Sequence, residues 1–199
     1  KSKITKKTQV IIAVHLFGQA APMEPLMALA AEHNLYIIED NAQAIGADYS
    51  FGDGSRKKLG TIGHIGTTSF FPSKNLGCYG DGGAIVTNDE HLAGVMRSIA
   101  GHGQSKKYFY DRVGVNSRLD TLQAAILQVK LKHIDQYIRN RQQAAAYYDK
   151  HLGALPWLSI PARVGYSTHV FHQYTIQIKN RNRDEISALL TQKEIPNMI

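Results

Sequence analysis

The sequence has a single cysteine, Cys78, among 199 residues, and it contains no run of eighteen apolar residues. One cysteine excludes an internal disulfide framework and a cysteine-based zinc cage, and the missing apolar run excludes an ordinary membrane-spanning helix. The chain also does not open on a charged and then apolar signal segment. We therefore expect a globular protein of the reducing cytoplasm with no membrane partner.

An excess of acidic charge is also missing, because 23 lysines and arginines face 16 acidic residues and give a net charge of +7. Four of the positive charges, Lys1, Lys3, Lys6 and Lys7, stand together at the front with no acid among them. The other basic residues are dispersed, and no zinc-finger spacing, recognition-helix pattern or aromatic RNA-binding motif accompanies them. We expect no nucleic-acid partner.

Several catalytic motifs are absent. The sequence has no GxGxxG between a strand and a helix, no GxxxxGK[ST], no GxSxG and no HExxH, which argues against dinucleotide, P-loop, serine-hydrolase and metalloprotease sites. His169 and His172 are three residues apart on a predicted strand and would point to opposite faces, so we expect no metal. Cys78 is interpreted as a small buried residue, because nothing near it in sequence identifies a base.

The patterns that are present indicate an α/β protein. Residues 9–14 form a short apolar, β-branched run typical of a buried strand. Apolar residues recur at helical spacing over 22–34, and 35–38 is the next predicted strand. A strand, helix and strand within about thirty residues is the length of a right-handed parallel crossover. We predict a mainly parallel sheet flanked by helices.

The second half of the chain predicts a change of structural unit. Ser117 and Asp120 form an S-x-x-D capping signal, and helical periodicity continues from there to about Leu152. We place a boundary in the stretch 153–161, so that residues 1–152 are part of a large domain and 153–199 begin a small α+β domain. Further expectations are a loop or hairpin over 48–60, strands over 67–71, 84–87 and 170–178, and helices over 89–100 and 184–192.

Two acids, Glu39 and Asp40, follow the second predicted strand. In open parallel sheets, ligands bind beyond the carboxyl ends of the strands. An acid at this position either caps a turn by accepting hydrogen bonds from backbone amides or faces a cationic atom of a ligand. The residues alone leave both interpretations open.

Lys74 is the only charged residue between positions 65 and 80, and Phe70, Phe71, Leu76 and Tyr79 flank it. Apolar surroundings would disfavour the ammonium form and lower the pKa of the lysine. A neutral amine is a nucleophile for carbonyl groups, and Schiff-base chemistry is its natural use.

Three stretches together resemble the DegT/DnrJ/EryC1/StrS sugar aminotransferases: ED-x-A-Q-A at 39–44, SFFPSKNLGCYGDGGA at 69–84 and GVNSRLDTLQAAIL at 114–127. HVFHQYTIQI at 169–178 resembles the start of the small domain in that family. The resemblance implies the aspartate-aminotransferase fold and a pyridoxal 5'-phosphate cofactor. It also implies transfer of an amino group, usually from glutamate, to a nucleotide-linked keto-sugar, for surface polysaccharide or related amino-sugar biosynthesis.

The same resemblance assigns roles to five residues. Lys74 would hold the cofactor covalently and move a proton to and from the sugar carbon. Asp40 would pair with the pyridinium nitrogen, Gln43 would bond the phenolic oxygen of the ring, and Ser69 would bind the phosphate. Asn116 would reach the phosphate of the neighbouring subunit's cofactor, which implies a homodimer with a shared site.

Departures from the family leave alternatives open. Family members are roughly twice as long, and an earlier segment in them supplies further cofactor contacts, so the chain resembles the central part of such an enzyme. A catalytically silent fragment is therefore one alternative. A sugar dehydratase of the same fold is another, although such relatives are expected to carry histidine where this chain has Lys74. The residues decide neither the nucleotide carrier nor the sugar carbon that is aminated.

Overall fold

The structure is a computed structural model that describes all residues from 1 to 199. The chain forms ten strands and five α-helices, and a short 3-10 turn, Leu16–Gly18, follows the first strand. The strands are β1 (Val10–Val14), β2 (Tyr36–Asp40), β3 (Asp48–Ser50), β4 (Arg56–Lys58), β5 (Ile65–Ser69), β6 (Gly83–Val86), β7 (Gln104–Lys106), β8 (Phe109–Tyr110), β9 (Leu158–Ser159) and β10 (Gln177–Ile178). The helices are α1 (Met23–His33), α2 (Glu90–Ala100), α3 (Thr121–Leu131), α4 (Ile134–Leu152) and α5 (Arg183–Gln192).

The central sheet has four strands in the order β1-β2-β5-β6. The first three run parallel, and β6 is antiparallel to β5. Val14 lies opposite Asp40, and Asp40 lies opposite Thr67, so the carboxyl ends of β1, β2 and β5 meet at one edge. This mainly parallel sheet with flanking helices confirms the predicted α/β fold class.

One face of the sheet is packed and the other is open. A core cluster of 13 buried residues includes Ala13 and Ile37 from the strands and Met23 and Ala30 from α1, because α1 crosses between the two parallel strands on that side. The residues that alternate with them on the strands point the other way, and Ile12 there is 64% exposed. The sheet thus carries a covered face and an uncovered face.

Most of the remaining predicted elements are present. β3 and β4 pair as an antiparallel hairpin within the polar stretch 48–60. The side chain of Asp89 accepts a hydrogen bond from the amide of Leu92 and caps α2. The long helical region is divided into α3 and α4 near His133, which is not helical.

Two local predictions are wrong. Ser117 does not cap a helix: its amide donates to the carbonyl of Ala100, and α3 starts only after Asp120, whose side chain makes no capping bond. The predicted strand over 170–178 is reduced to β10, which pairs with β9. Upstream of β10 the backbone bonds elsewhere, as the amide of Val170 donates to Gly18.

The segment before β10 packs on the main core. Val170 is fully buried in the 13-residue cluster, and Tyr166 packs against the same cluster. The amide of His172 donates to the carbonyl of Phe17. The boundary at 153–161 and the two domains stay predictions, while Tyr166, Val170 and His172 contact the main core cluster and the turn after β1. No helix combines the length and the apolarity that a membrane crossing requires.

Candidate active site

The carboxyl edge of the sheet brings Asp40 and Ser69 close together. They end the neighbouring parallel strands β2 and β5, and the amide of Asn41 donates to the carbonyl of Thr67 at 2.8 Å. Because Asp40 pairs with Thr67, and Ser69 is two residues further along β5, both side chains lie on the same face of the sheet. That face is the open one.

Asp40 is the acid that remains available for a ligand. It is half buried, and its Oδ1 accepts one hydrogen bond, from the amide of Ala42 at 3.0 Å. It forms no ion pair, and its second carboxylate oxygen has no partner in the protein. A carboxylate with free lone pairs at a strand end can accept a proton-bearing nitrogen of a ligand.

Glu39, one residue earlier, points to the packed face and is fully buried. Its carboxylate accepts hydrogen bonds from His15 Nε2 at 2.9 Å and from the amides of Gly60, Ile62 and Gly63 at 2.8, 2.6 and 2.6 Å. Burial opposes ionisation, but these bonds outweigh it and hold the pKa of Glu39 below its usual value. Glu39 is therefore the turn-binding acid of the pair.

His15 completes this buried arrangement. Its Nδ1 accepts a hydrogen bond from the amide of Ala21 at 3.1 Å, so the ring proton is on Nε2, where it is donated to Glu39. The contact joins the end of β1, the start of α1 and the end of β2. Sequence reasoning missed it, because nothing in the local pattern links a histidine to an acid 24 residues later.

Gln43 lies in the turn after β2 with one end of its amide occupied. Its Oε1 accepts a hydrogen bond from the amide of Phe17 at 2.6 Å, which leaves the side-chain NH2 free to donate.

The turn after β1, to which Gln43 bonds, has an unusual backbone. Phe17 and Gly18 both have positive φ, of 59° and 105°. A Cβ at Gly18 would lie 2.9 Å from the amide nitrogen of Phe171, so this tight turn requires glycine.

Lys74 lies in the loop between β5 and β6. Backbone hydrogen bonds within the loop fix its shape. The amide of Cys78 donates to the carbonyl of Phe70, and the amide of Lys74 donates to the carbonyl of Phe71. Ser69 Oγ accepts a bond from the Phe71 amide at 3.2 Å, so its hydroxyl proton stays available. The Lys74 side chain is half buried and makes no hydrogen bond or ion pair.

The apolar surroundings predicted for Lys74 are only partly formed. Phe70 and Leu76 pack in a small cluster with buried Cys78, which confirms the interpretation of that cysteine. Phe71 and Tyr79 are instead 50% and 76% exposed. The backbone of Cys78 returns to that of Phe70, so Phe70 and Leu76 face the protein while Phe71 and Tyr79 face outward.

His172 joins the surroundings of Lys74 from the far end of the chain. The side-chain amide of Asn75 donates to the carbonyl of Val170 at 3.0 Å, and Arg141 donates to the carbonyl of His172. Burial, together with the positive charges of Lys74 and Arg141, lowers the pKa of His172 to about 4. Its Nδ1 is buried and has no hydrogen-bond partner. The separation of about 100 residues explains why the sequence did not indicate this proximity.

Asn116 is not placed with the other predicted residues. It forms an isolated bridge with Gly101 at the end of α2, and its Oδ1 accepts a hydrogen bond from Arg118 at 2.9 Å. Since α3 begins five residues later, the predicted helix amino terminus beside Asn116 is wrong. The structure thus places Asp40 and Ser69 at one edge of the sheet, with Gln43 in the turn after β2 and Lys74 in the loop after β5, and it leaves Asn116 on a separate, exposed loop.

Comparison with known proteins identifies one family. The family profile of the DegT/DnrJ/EryC1/StrS aminotransferase family matches residues 1–199. A "Pleiotropic regulatory protein" of Geobacillus stearothermophilus is 47% identical, over all of this chain and 52% of its own length. The UDP-2-acetamido-2-deoxy-3-oxo-D-glucuronate aminotransferase of Pseudomonas aeruginosa is 43% identical, over all of this chain and 53% of its own length.

The fold agrees with solved structures. The crystal structure of DesV from S. venezuelae in complex with a ketimine intermediate has a TM-score of 0.87 and 40% identity, over 96% of this chain and 49% of that one. The chain spans about half the length of the curated relatives that it matches.

Proposed function

Because the chain belongs to the DegT/DnrJ/EryC1/StrS aminotransferase family, we propose that the protein is a pyridoxal-phosphate enzyme that transfers an amino group to a nucleotide-linked keto-sugar. Members of this family depend on that cofactor. The observation that carries the proposal is the unpaired Lys74 beside the edge of the sheet where Asp40 and Ser69 meet. Glutamate as the amino donor is part of the proposal, as is a cytoplasmic location.

The donors and acceptors at this edge fit the cofactor. Asp40 offers a free carboxylate oxygen for a protonated ring nitrogen, and Gln43 offers a free NH2 for the phenolic oxygen. Ser69 offers a hydroxyl proton for the phosphate. Each of the three side chains also accepts one hydrogen bond from a backbone amide, which holds the side chain in place. This is the preorganisation that a binding site needs.

The roles of the side chains follow from their contacts. The bound cofactor supplies an electron-withdrawing ring that stabilises negative charge on the amino-bearing carbon. Asp40 keeps the ring nitrogen protonated and so maintains that property. Lys74, which no acid of the chain engages, holds the cofactor and then moves a proton at the reacting carbon.

The substrate class is inferred from relatives and from Lys74. The 43% identical relative is named as an aminotransferase of a UDP-linked keto-sugar. We propose a nucleotide-linked keto-sugar as the substrate of this protein as well. Lys74 favours transamination over dehydration, because dehydratases of this fold are expected to carry histidine at that position. Amino-sugar biosynthesis for surface polysaccharides is the proposed use of the product.

A homodimer is the proposed assembly. The loop around Asn116 and the start of α3 expose apolar side chains that the chain itself does not cover, with Tyr110, Val113 and Leu122 among them. Exposed apolar surface that forms a large patch marks protein interfaces, and a second copy of the chain would cover these side chains. Docking of a second copy there would place Asn116 against the partner, as the family resemblance implies.

The test of the proposed function is to find the lysine that holds the cofactor. The full-length protein is mixed with pyridoxal phosphate, its visible absorbance is recorded, and the product is reduced with borohydride and mapped by mass spectrometry. We expect the label on Lys74 and on no other lysine, with Lys130, which borders the same loop, as an internal control. Labelling elsewhere would refute the site, and a panel of nucleotide-linked keto-sugars with glutamate then tests the reaction.

A further inference from the structure

A cleft beside α2 contains none of the residues predicted for the cofactor site, and we propose that it binds the diphosphate group of a nucleotide. The cleft has a volume of about 570 Å³ and lies between the second half of α2 and the β7–β8 hairpin. None of its ten lining residues is hydrophobic. Small-molecule pockets of this size are usually lined by apolar side chains, so a lining of polar side chains and two glycines favours a charged group.

The cleft is positively charged. Arg97 from α2, Lys106 and Lys107 from the hairpin and Arg112 after it all line the cleft, and Asp111 is the single acid there. None of the four cations takes part in a salt bridge of the structure. Four cations around one concave surface, with one acid to offset them, raise the local concentration of polyvalent anions. Arginine and lysine together are the usual ligands of phosphate oxygens.

An open helix face completes the lining. Ser98 lines the cleft one residue after Arg97, but its Oγ is buried and does not face the cleft. Gly94, one turn earlier on α2, has no atom within 4 Å of the position of a Cβ, so nothing in the protein fills that side of the cleft.

Aromatic rings beside the cations favour a nucleotide over inorganic phosphate. The Nζ of Lys106 lies 4.2 Å from the ring centre of Phe109, and the Nζ of Lys107 lies 5.1 Å from that of Tyr108. Both rings are exposed. The rings border the cleft without lining it, and the face of each ring that its lysine does not cover could stack on a base. A nucleoside diphosphate would use both parts of this surface.

The backbone connects the cleft with Asn116. Gly101 lines the cleft and forms the bridge with Asn116, and the amide of Val115 donates to the carbonyl of Ile99. The diphosphate has two possible sources: the nucleotide of the sugar substrate, or a free nucleotide. Assignment to the substrate rests on the proposed function, whereas anion binding by the cleft does not.

The first test uses Gly94, because substitution there fills open space. The Gly94→Glu variant places a carboxylate at the cleft, and Gly94→Gln has nearly the same shape without the charge. Both replacements suit a helix better than glycine does. Inorganic pyrophosphate is the probe, and its Kd for the full-length protein is measured by titration calorimetry. We expect binding to Gly94→Glu to be weaker than to Gly94→Gln by about fivefold or more.

A second pair of variants separates the cleft from general surface charge. Arg97→Gln removes a lining cation and is expected to weaken pyrophosphate binding by about tenfold. Arg181→Gln is its control, since Arg181, like Arg97, forms no salt bridge, but lies outside the cleft. Equal affinity of the two Gly94 variants, together with equal effects of the Arg97 and Arg181 substitutions, would overturn the proposal.

Kinetics of the same Gly94 variants then identify the source of the diphosphate. A higher KM of Gly94→Glu for a UDP-linked keto-sugar, at unchanged kcat, assigns the cleft to the substrate nucleotide. An unchanged KM with weaker pyrophosphate binding assigns it to a free nucleotide, for which UDP is the probe. Because the binding measurement needs no catalysis, an inactive protein that binds pyrophosphate would refute the proposed function and leave the cleft intact.

Discussion

Two adjacent acids at the end of β2, Glu39 and Asp40, have opposite environments. Glu39 lies on the packed face, where four donors occupy its carboxylate. Asp40 lies on the open face, where one backbone amide reaches it. Successive side chains of a strand point to opposite faces, so one residue of sequence separates a carboxylate that holds the fold together from one that can serve a ligand.

This difference divides the edge of the sheet by role. On the packed face, Glu39 fastens the turn 60–63 and His15 to the end of β2. On the open face, Asp40 and Ser69 each keep one polar group free. Substitutions on the packed face should therefore act on stability, and substitutions on the open face should act on activity.

The largest expected effect is on stability. Glu39→Ala leaves the amides of Gly60, Ile62 and Gly63 and the ring of His15 without their acceptor in a buried site. We expect the free energy of unfolding to fall by about 3–5 kcal/mol, measured by urea denaturation of the full-length protein. A loss below about 1 kcal/mol, the usual effect of a surface substitution, would contradict the structural role of Glu39.

The matched substitution on the open face is Asp40→Asn, which keeps shape and removes charge. We expect kcat/KM to fall by about 10²–10³-fold, the size of losing one preorganised electrostatic contact. The free energy of unfolding should stay within about 0.5 kcal/mol of the parent. A stable and fully active Asp40→Asn protein would remove Asp40 from the site.

Acid should act on two histidines first and on Glu39 afterwards. Burial lowers the pKa of both His169 and His172 to about 4, so the unfolded state binds these protons first and stability falls as the pH drops from about 6.5 towards 4. The pKa of Glu39 is lowered from 4.5, so its contribution is lost at still lower pH. Denaturant midpoints across this range should show both steps. His172→Gln should make the upper step smaller without removing it, because His169 still contributes there, and Glu39→Gln should remove the lower step.

The smallest effect is expected at Gln43, whose amide serves both a turn and the candidate site. Gln43→Ala leaves the amide of Phe17 without its acceptor and should lower the free energy of unfolding by about 0.5–1.5 kcal/mol. The visible absorbance of the bound cofactor should also shift, because the phenolic oxygen loses a donor. Gln43→Glu, which still accepts from Phe17, should restore stability and leave the spectrum altered.

Part of this architecture could be predicted from local patterns. The sequence patterns located three parallel strands to within two residues, and the rule on carboxyl ends then pointed to the acids Glu39 and Asp40 and to the loop of Lys74. Asp89 was also predicted at the start of α2 and caps it. These features depend on residues that are near one another in sequence, where periodicity and capping chemistry are visible.

Other predictions failed because distant segments compete for the same backbone groups. The stretch 115–117 bonds to the end of α2 instead of opening a helix, since the amides of Val115 and Ser117 donate to Ile99 and Ala100. The amides of Val170 and His172 donate to the turn after β1 and so form no strand ladder. Local propensity indicates what a segment can form, and tertiary bonding selects among the possibilities.

The sequence by itself determined the α/β class, the edge where the strands end, and the lone Lys74 in its loop. Only the tertiary structure decided which of two neighbouring acids stays free, that His172 lies near Lys74, and that the basic residues around α2 line one cleft. The physical reason is that alternation along a strand settles which residues share a face. Which face becomes buried depends on segments far along the chain that pack against it.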